Sequence, residues 1–283
     1  TATSDILSVA IGYQASKGGV GATNYGDVSV GALALTSITS GIFNAAVGYQ
    51  SLTSNTTGSY NPAVGRQALY SNTTASNNTA VGYQAGYSNT TGAYNTVSGY
   101  QAGYAITTGQ NNVALGASAM STGAGVTGNG NCGVGNAALY ALTSGTLNTA
   151  VGNSYGAGTG VLQANTTGSY NIAVGSGALN ANTTANNNTA VGYQAGYSTT
   201  TGNIDAFGYG ALYSNTTGLE NAAFGGVALY ANTTGAANVA VGKFALRYNT
   251  TASNNTAVGY AAAYNKDRKS TRLNSSHITI SYA

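Results

Sequence analysis

The stretch Asn78-Thr79-Ala80-Val81-Gly82-Tyr83-Gln84-Ala85 decides the fold, because close copies of it recur along nearly the whole 283-residue chain. With its glycine as anchor, fifteen copies fall at Gly12, Gly31, Gly48, Gly65, Gly82, Gly99, Gly116, Gly135, Gly152, Gly175, Gly192, Gly208, Gly225, Gly242 and Gly259. Ten of the fourteen spacings are 17 residues, and the others are 19 (twice), 23 and 16. Departures from the period are mostly insertions, as expected where loops leave a regular stack.

Two before the anchor, twelve of the fifteen residues are Ala, the exceptions being Ser29, Val97 and Gly133; one before it, fourteen are apolar and Ser98 is not. Neighbours on a strand point to opposite faces, so the pattern predicts a short strand with two dry faces, one aliphatic and one of small residues. Three residues before the anchor stand Pro62, Cys132, Asp205 and several Thr, and directly after it stand Arg66, Lys243 and seven Tyr, which reads as exposed. Three after the anchor, thirteen of fifteen are again Ala, followed by Leu in eight copies, which predicts a second short buried strand. Turn phrases such as Ser54–Gly58 and Asn72–Ala75 close the unit, since Asn and Gly tolerate positive φ and short polar side chains bond nearby backbone.

Glycine every few residues and β-branched Asn-Thr-Thr runs disfavour a continuous helix, and 17 residues are too few for a helix-pair repeat. The expected fold is therefore all-β: a parallel β-solenoid or β-roll of about fifteen 17-residue coils spanning residues 1–264. Fourteen steps of about 4.8 Å would make a rod of roughly 70 Å. So thin a coil cannot cover both apolar ladders, which predicts a homo-oligomer, a trimer by preference, with the alanine column at the shared axis.

Composition excludes other classes. Only 5% of residues are charged, 42 are Gly, and there is one Pro, one Cys and no Trp, so the chain is neither collagen, disulfide scaffold nor polyelectrolyte. The net charge of +3 comes from the tail: residues 1–264 balance Lys17, Arg66, Lys243 and Arg247 against Asp5, Asp27, Asp205 and Glu220. A neutral body offers no footprint for nucleic acid and no membrane contact is expected. Residues 265–283 break the repeat, hold the single His277, and closely resemble translated sequencing-adapter read-through; they are set apart from the fold as a non-native or disordered basic tail. A chain opening at Thr1 without a signal-like segment reads as an internal fragment.

The stretch Ser8-Val9-Ala10-Ile11-Gly12-Tyr13-Gln14-Ala15, like Asn78–Gly82 and its copies, resembles the head repeat of trimeric autotransporter adhesins of the YadA type; similar repeats occur in phage tail-fibre proteins. The resemblance covers about residues 8–263, although the family's coil is somewhat shorter. It implies left-handed coils, a homotrimer on the bacterial surface or, alternatively, on a virion tail, and multivalent attachment to a host protein or glycan. A passive spacer and an ice-binding solenoid are the other readings.

No catalytic set is visible: the carboxylates are scattered, His is missing from the body, and Cys132 has no partner for metal or nucleophile chemistry. The expectation is no enzyme, no cofactor and no metal. Gly123–Gly128 matches a dinucleotide fingerprint without its strand–helix context and reads as an inserted loop. Candidate ligand-binding residues are the stripe Tyr13, Tyr49, Tyr83, Tyr100, Tyr193, Tyr209 and Tyr260, and Tyr155 and Gln163 in a loop of residues 153–163 at the 23-residue spacing.

Overall fold

The computed structural model describes residues 8–18, 22, 25–122, 125–154 and 158–265. Those residues form an all-β solenoid without helix, in which fifteen three-residue strands, from Val9–Ile11 to Thr256–Val258, pair in parallel and in sequence order in a single sheet. Register keeps equivalent residues together: Ala173 pairs with Ala190 and Ala150, and Val174 with Val191 and Val151. The expected tail lies outside the described residues from position 266 onward.

Pairing extends around the whole coil. The Gly48 N–H reaches back to the Val30 carbonyl at 2.8 Å, Leu52 N–H reaches forward to the Ala68 carbonyl at 3.0 Å, and Thr56 N–H forward to the Thr73 carbonyl at 2.8 Å. Backbone groups that could not be left dry are thereby satisfied by the neighbouring coil. The second short strand expected after the anchor is instead a run of turns, because alternate residues adopt positive φ: Gln50 at 55° and Leu52 at 50°, repeated by Gln67 and Leu69. Left-handed residues are incompatible with an extended strand, yet they turn Ala68 and Leu69 inward while their amides still bond between coils.

The anchor glycine is obligatory at such a bend. Gly99 has φ +136°, and a Cβ there would stand 2.7 Å from the Gly116 carbonyl oxygen of the next coil. No side chain fits that approach.

The lumen differs from the sequence expectation in two ways. Its filling is the alanine column of the strands, exemplified by Ala46, Ala63 and Ala80, with the second alanine column and the leucines Leu52, Leu69 and Leu139, all fully buried. The aliphatic column one before the anchor points out of the coil: Ile11 is 60% exposed, Val81 43% and Val258 67%. The small residues therefore cannot line an oligomer axis, since they are spent on the chain's own narrow interior, and the outward Val, Ile and Phe column is the one left uncovered.

Asparagine is the second correction. Besides turn residues with positive φ such as Asn77 and Asn187, the coil buries two columns of Asn. In the first, just before each strand, the Asn61 amide N–H donates to Asn44 Oδ1 at 3.1 Å while Asn61 Nδ2 donates to the Ala75 carbonyl at 2.9 Å, and Asn131, Asn148 and Asn171 repeat the scheme. In the second, Asn72 Nδ2 donates to Asn55 Oδ1 and to Ala75 O, at 2.9 and 3.0 Å. This column breaks at hydrophobic rungs: Asn89 Oδ1 is left without a partner where Ile106 takes the next place. Within an unbroken run an Asn such as Asn72 donates to one neighbouring coil and accepts from the other, which is how a polar side chain is tolerated at full burial.

Asp27 occupies the first column where other coils carry Asn. Its Oδ1 accepts the Asn44 N–H at 2.6 Å, but Oδ2, standing where Asn44 Nδ2 reaches Gly58 O, has no partner. Burial raises the carboxyl above its ordinary value of 3.8, only partly offset by the bonds from Asn44. Folding therefore takes up a proton, and this contribution to stability, full below the unfolded pKa of about 3.9, declines as pH rises through the interval up to the folded pKa. Asp27→Asn is expected to remove that decline and to raise stability at pH 7 by about 1–3 kcal/mol, read as thermal midpoints between pH 3.5 and 7. Asn148→Ala, which orphans the Asn171 N–H while the Gly168 carbonyl keeps its bond from Asn165 Nδ2, is expected to cost about 1–3 kcal/mol in chemical denaturation.

Candidate functional site

Stacking in register converts a repeated tyrosine into a surface. The residue after each anchor glycine forms the first tyrosine column, where Tyr13, Tyr49, Tyr100, Tyr193, Tyr209 and Tyr260 are exposed and Tyr83 is half-buried. The stripe is not continuous. Tyr83 and Tyr100 stack at 5.3 Å and Tyr193 and Tyr209 at 5.8 Å, but the coils between carry Ala117, Asn136, Asn153 and Ser176 at this place. Arg66 fills the rung between Tyr49 and Tyr83, its guanidinium 5.7 and 5.6 Å from their ring centroids. Beside this patch, Gln50, Gln67, Gln84 and Gln101 form a ladder in which each Nε2 donates to the preceding Oε1 at 2.9 Å. The result is a strip of aromatic faces, one fixed cation and an amide row, suited to shallow, repeated contacts with a sugar or protein surface.

A second tyrosine column, not singled out in the sequence, lies five residues after the anchor. Tyr70, Tyr87 and Tyr104 stack at 5.0 and 5.1 Å with planes within 7°, and Tyr197, Tyr213 and Tyr230 do so at 5.2 and 5.0 Å. The 17-residue period that marks the first column marks this one as well, at the fifth residue after the anchor. Burial first, and then the neighbouring phenols, push the middle hydroxyls of both runs, Tyr87 and Tyr213, above the ordinary tyrosine range. Arg247 continues the second run, 5.9 Å from the Tyr230 ring and 5.9 Å from Tyr264.

The loop boundaries read from the sequence move. Ser154 N–H still bonds the Asn136 carbonyl in regular register, and Val161 and Leu162 are fully buried at the alanine and leucine places, with Leu162 N–H on the Ala178 carbonyl. The insertion is thus confined to the residues between them. Gln163 belongs to the coil, at the second tyrosine column's place; its Oε1 accepts the Gly160 N–H at 2.9 Å, while Asn180 Nδ2 donates to the Gly160 carbonyl at 2.9 Å. Tyr155 lies outside the described residues. Similarly Val126, read as part of an inserted loop, is fully buried and bridges Ile106, and Gly128 has rejoined the ladder through its N–H to Thr143 O. Cys132 sits half-buried in a strand, between Val113 and Thr149 of neighbouring coils.

The chain matches no known protein-family profile, and no curated protein aligns with it at a significant level. The likeness to adhesin heads therefore rests on the repeated phrase and on the solenoid.

Ring contact between coils is a direct energetic link. Tyr87→Ala removes two stacked partners and is expected to cost about 1–3 kcal/mol, with loss of near-ultraviolet circular dichroism; Tyr140→Ala, which stacks on no ring among the described residues, is expected to cost less.

Proposed function

We propose that this solenoid is the repeat section of an extracellular fibre that associates as a homotrimer and attaches multivalently to a surface protein or glycan. The observation that carries the reading is the outward aliphatic column. Val64, Val81, Val151, Phe224, Val241 and Val258 are exposed in the isolated chain, and equivalents such as Val47, Val134, Val174 and Val191 are half-buried, so that an apolar side chain points outward in every coil but that of Ser98. A long apolar strip of that kind is costly to leave in water, and further copies of the same strip, related by closed symmetry, cover it without introducing a non-repetitive partner. Residues at the place three before the anchor share that outer face of the strand and are mostly small or β-branched, which suits close approach of a second chain.

The two tyrosine columns and the glutamine row would then be the recognition surface. Individually weak contacts at a spacing fixed by the coil sum to useful avidity when both partners are repetitive. A bacterial cell surface and a virion tail both fit a rod of this kind, and the attachment target on either is a host protein or carbohydrate.

Two measurements test the proposal. Light scattering on residues 1–264 is expected to give a trimer, and Val64→Asp with Val81→Asp to shift it toward monomer while far-ultraviolet circular dichroism is retained, since both side chains point outward. A stable, soluble wild-type monomer would overturn the oligomer. Glycan-array and cell-binding assays on the oligomer are expected to show binding that falls when Tyr49, Tyr83 and Tyr100 are replaced together by Ser; an oligomer that binds nothing would favour a passive spacer.

A further inference from the structure

The second tyrosine column has a missing rung. Tyr70, Tyr87 and Tyr104 occupy successive coils, Ser121 holds the equivalent place in the next, and Tyr140 in the one after, a register fixed by Ser88 N–H on Tyr104 O and Thr122 N–H on Tyr140 O, at 3.2 and 3.0 Å. An open cleft of about 340 Å³ lies there, lined by Ser88, Tyr104, Ala105, Thr107, Ser121, Thr122 and Gly125. That volume is in the range of small-molecule sites. The column's other break, between Tyr140 and Tyr197, is closed by side chains: Gln163 and Asn180 both bond Gly160 there. The Ser121 rung, by contrast, coincides with a cleft among the described residues.

We propose that this cleft binds a single aromatic ring bearing a hydrogen-bond donor, such as a phenol, stacked on Tyr104 in the place a tyrosine of the column would fill. The chain's own rings set the geometry: neighbours lie 5.0–5.1 Å apart and within 7° of parallel, so a ring one coil beyond Tyr104 meets an aromatic face at the separation the column already uses. A planar ring suits that slot better than a puckered one. The rim specifies the substituent. Thr107 Oγ1 donates to Val126 O at 3.3 Å and Thr122 Oγ1 to Tyr140 O at 3.1 Å. Both hydroxyls thus spend their protons on backbone carbonyls and keep lone pairs that can accept from a ligand donor, while the Ser88 and Ser121 hydroxyls of the same lining can donate or accept, a combination that a phenol O–H matches and an ether oxygen matches only in part. Ala105 and Ser121, both nearly buried, keep the floor small and close. The proposal does not depend on the fibre reading, because the cleft is formed within one chain.

The test is titration of the full chain with p-cresol, followed by the methyl resonance of Ala105. A saturable shift in the millimolar range is expected, with 4-methylanisole, which lacks the donor, binding several-fold more weakly and methyl β-glucopyranoside causing no shift. Ser121→Tyr completes the column and is expected to abolish the shift while raising the thermal midpoint. Tyr104→Leu keeps bulk but removes the aromatic face and is expected to weaken binding by about tenfold. Unchanged p-cresol binding in either folded variant, or a glucoside that competes equally, overturns the proposal. N-acetyltyrosinamide separates the sources of the ring: binding as tight as p-cresol assigns the slot to a tyrosine side chain of a partner, and exclusion of it assigns the slot to a free phenol. Either result supports an aromatic site.

Discussion

Everything in this molecule depends on coil-to-coil register. A unit of 17 residues has no interior worth the name, and its backbone groups point along the rod axis rather than around the coil. Apart from turn bonds within a coil, such as Asn55 N–H to the Leu52 carbonyl, a neighbouring coil satisfies them, and only if it lies in step. The anchor glycines fix how closely the coils approach at the bend, and the buried asparagines fix the step. In the first column an Asn amide can take the acceptor of one neighbour and a backbone carbonyl of another, as Asn131 does with Asn112 and Gly145. A slip by one residue would leave buried donors and acceptors unpaired along a whole column, whereas a hydrophobic lumen alone would tolerate it.

Register also explains the division of labour among side chains. The interior is too narrow for aromatic rings, so it takes Ala, Leu and Asn, and the larger residues are expelled. Once outside, they fall one coil apart, close enough for aromatic rings to stack, and the rod acquires aromatic columns as a consequence of its period. Where the period is disturbed, the columns break, and it is at one of these breaks, beside Ser121, that a cleft opens. Architecture and candidate chemistry share one origin.

Much of the fold was legible because the sequence states it fifteen times. The anchor spacing, the parallel stacking and the two opposed ladders, one aliphatic and one of alanine, follow from repetition and from the two-residue alternation of a strand. The run of turns that stands in place of the expected second strand was not legible: Gln50 and Leu52 at positive φ have no local signature, and their amides bond to neighbouring coils in that conformation. The buried Asn columns were hidden for a similar reason. Asn in a turn-rich phrase is normally a turn residue, and only the proximity of its equivalents at 17-residue distance turns Asn61 and Asn72 into rungs. Of the candidate site, the stripe beginning at Tyr13 could be read, while its interruption and the stacked run Tyr70–Tyr87–Tyr104 emerge when coils are superposed.

By itself, then, the sequence determined that this is an all-β repeat rod: periodicity and alternation are properties of order along the chain, and no other compact arrangement satisfies so many short identical units. Which columns face inward, which Asn are buried, where an inserted segment rejoins the coil at Val161, and where a column of rings is left with a gap were decided by the tertiary structure. Those outcomes depend on distances between residues one coil apart, and a chain read in one dimension contains the spacing but not the contact.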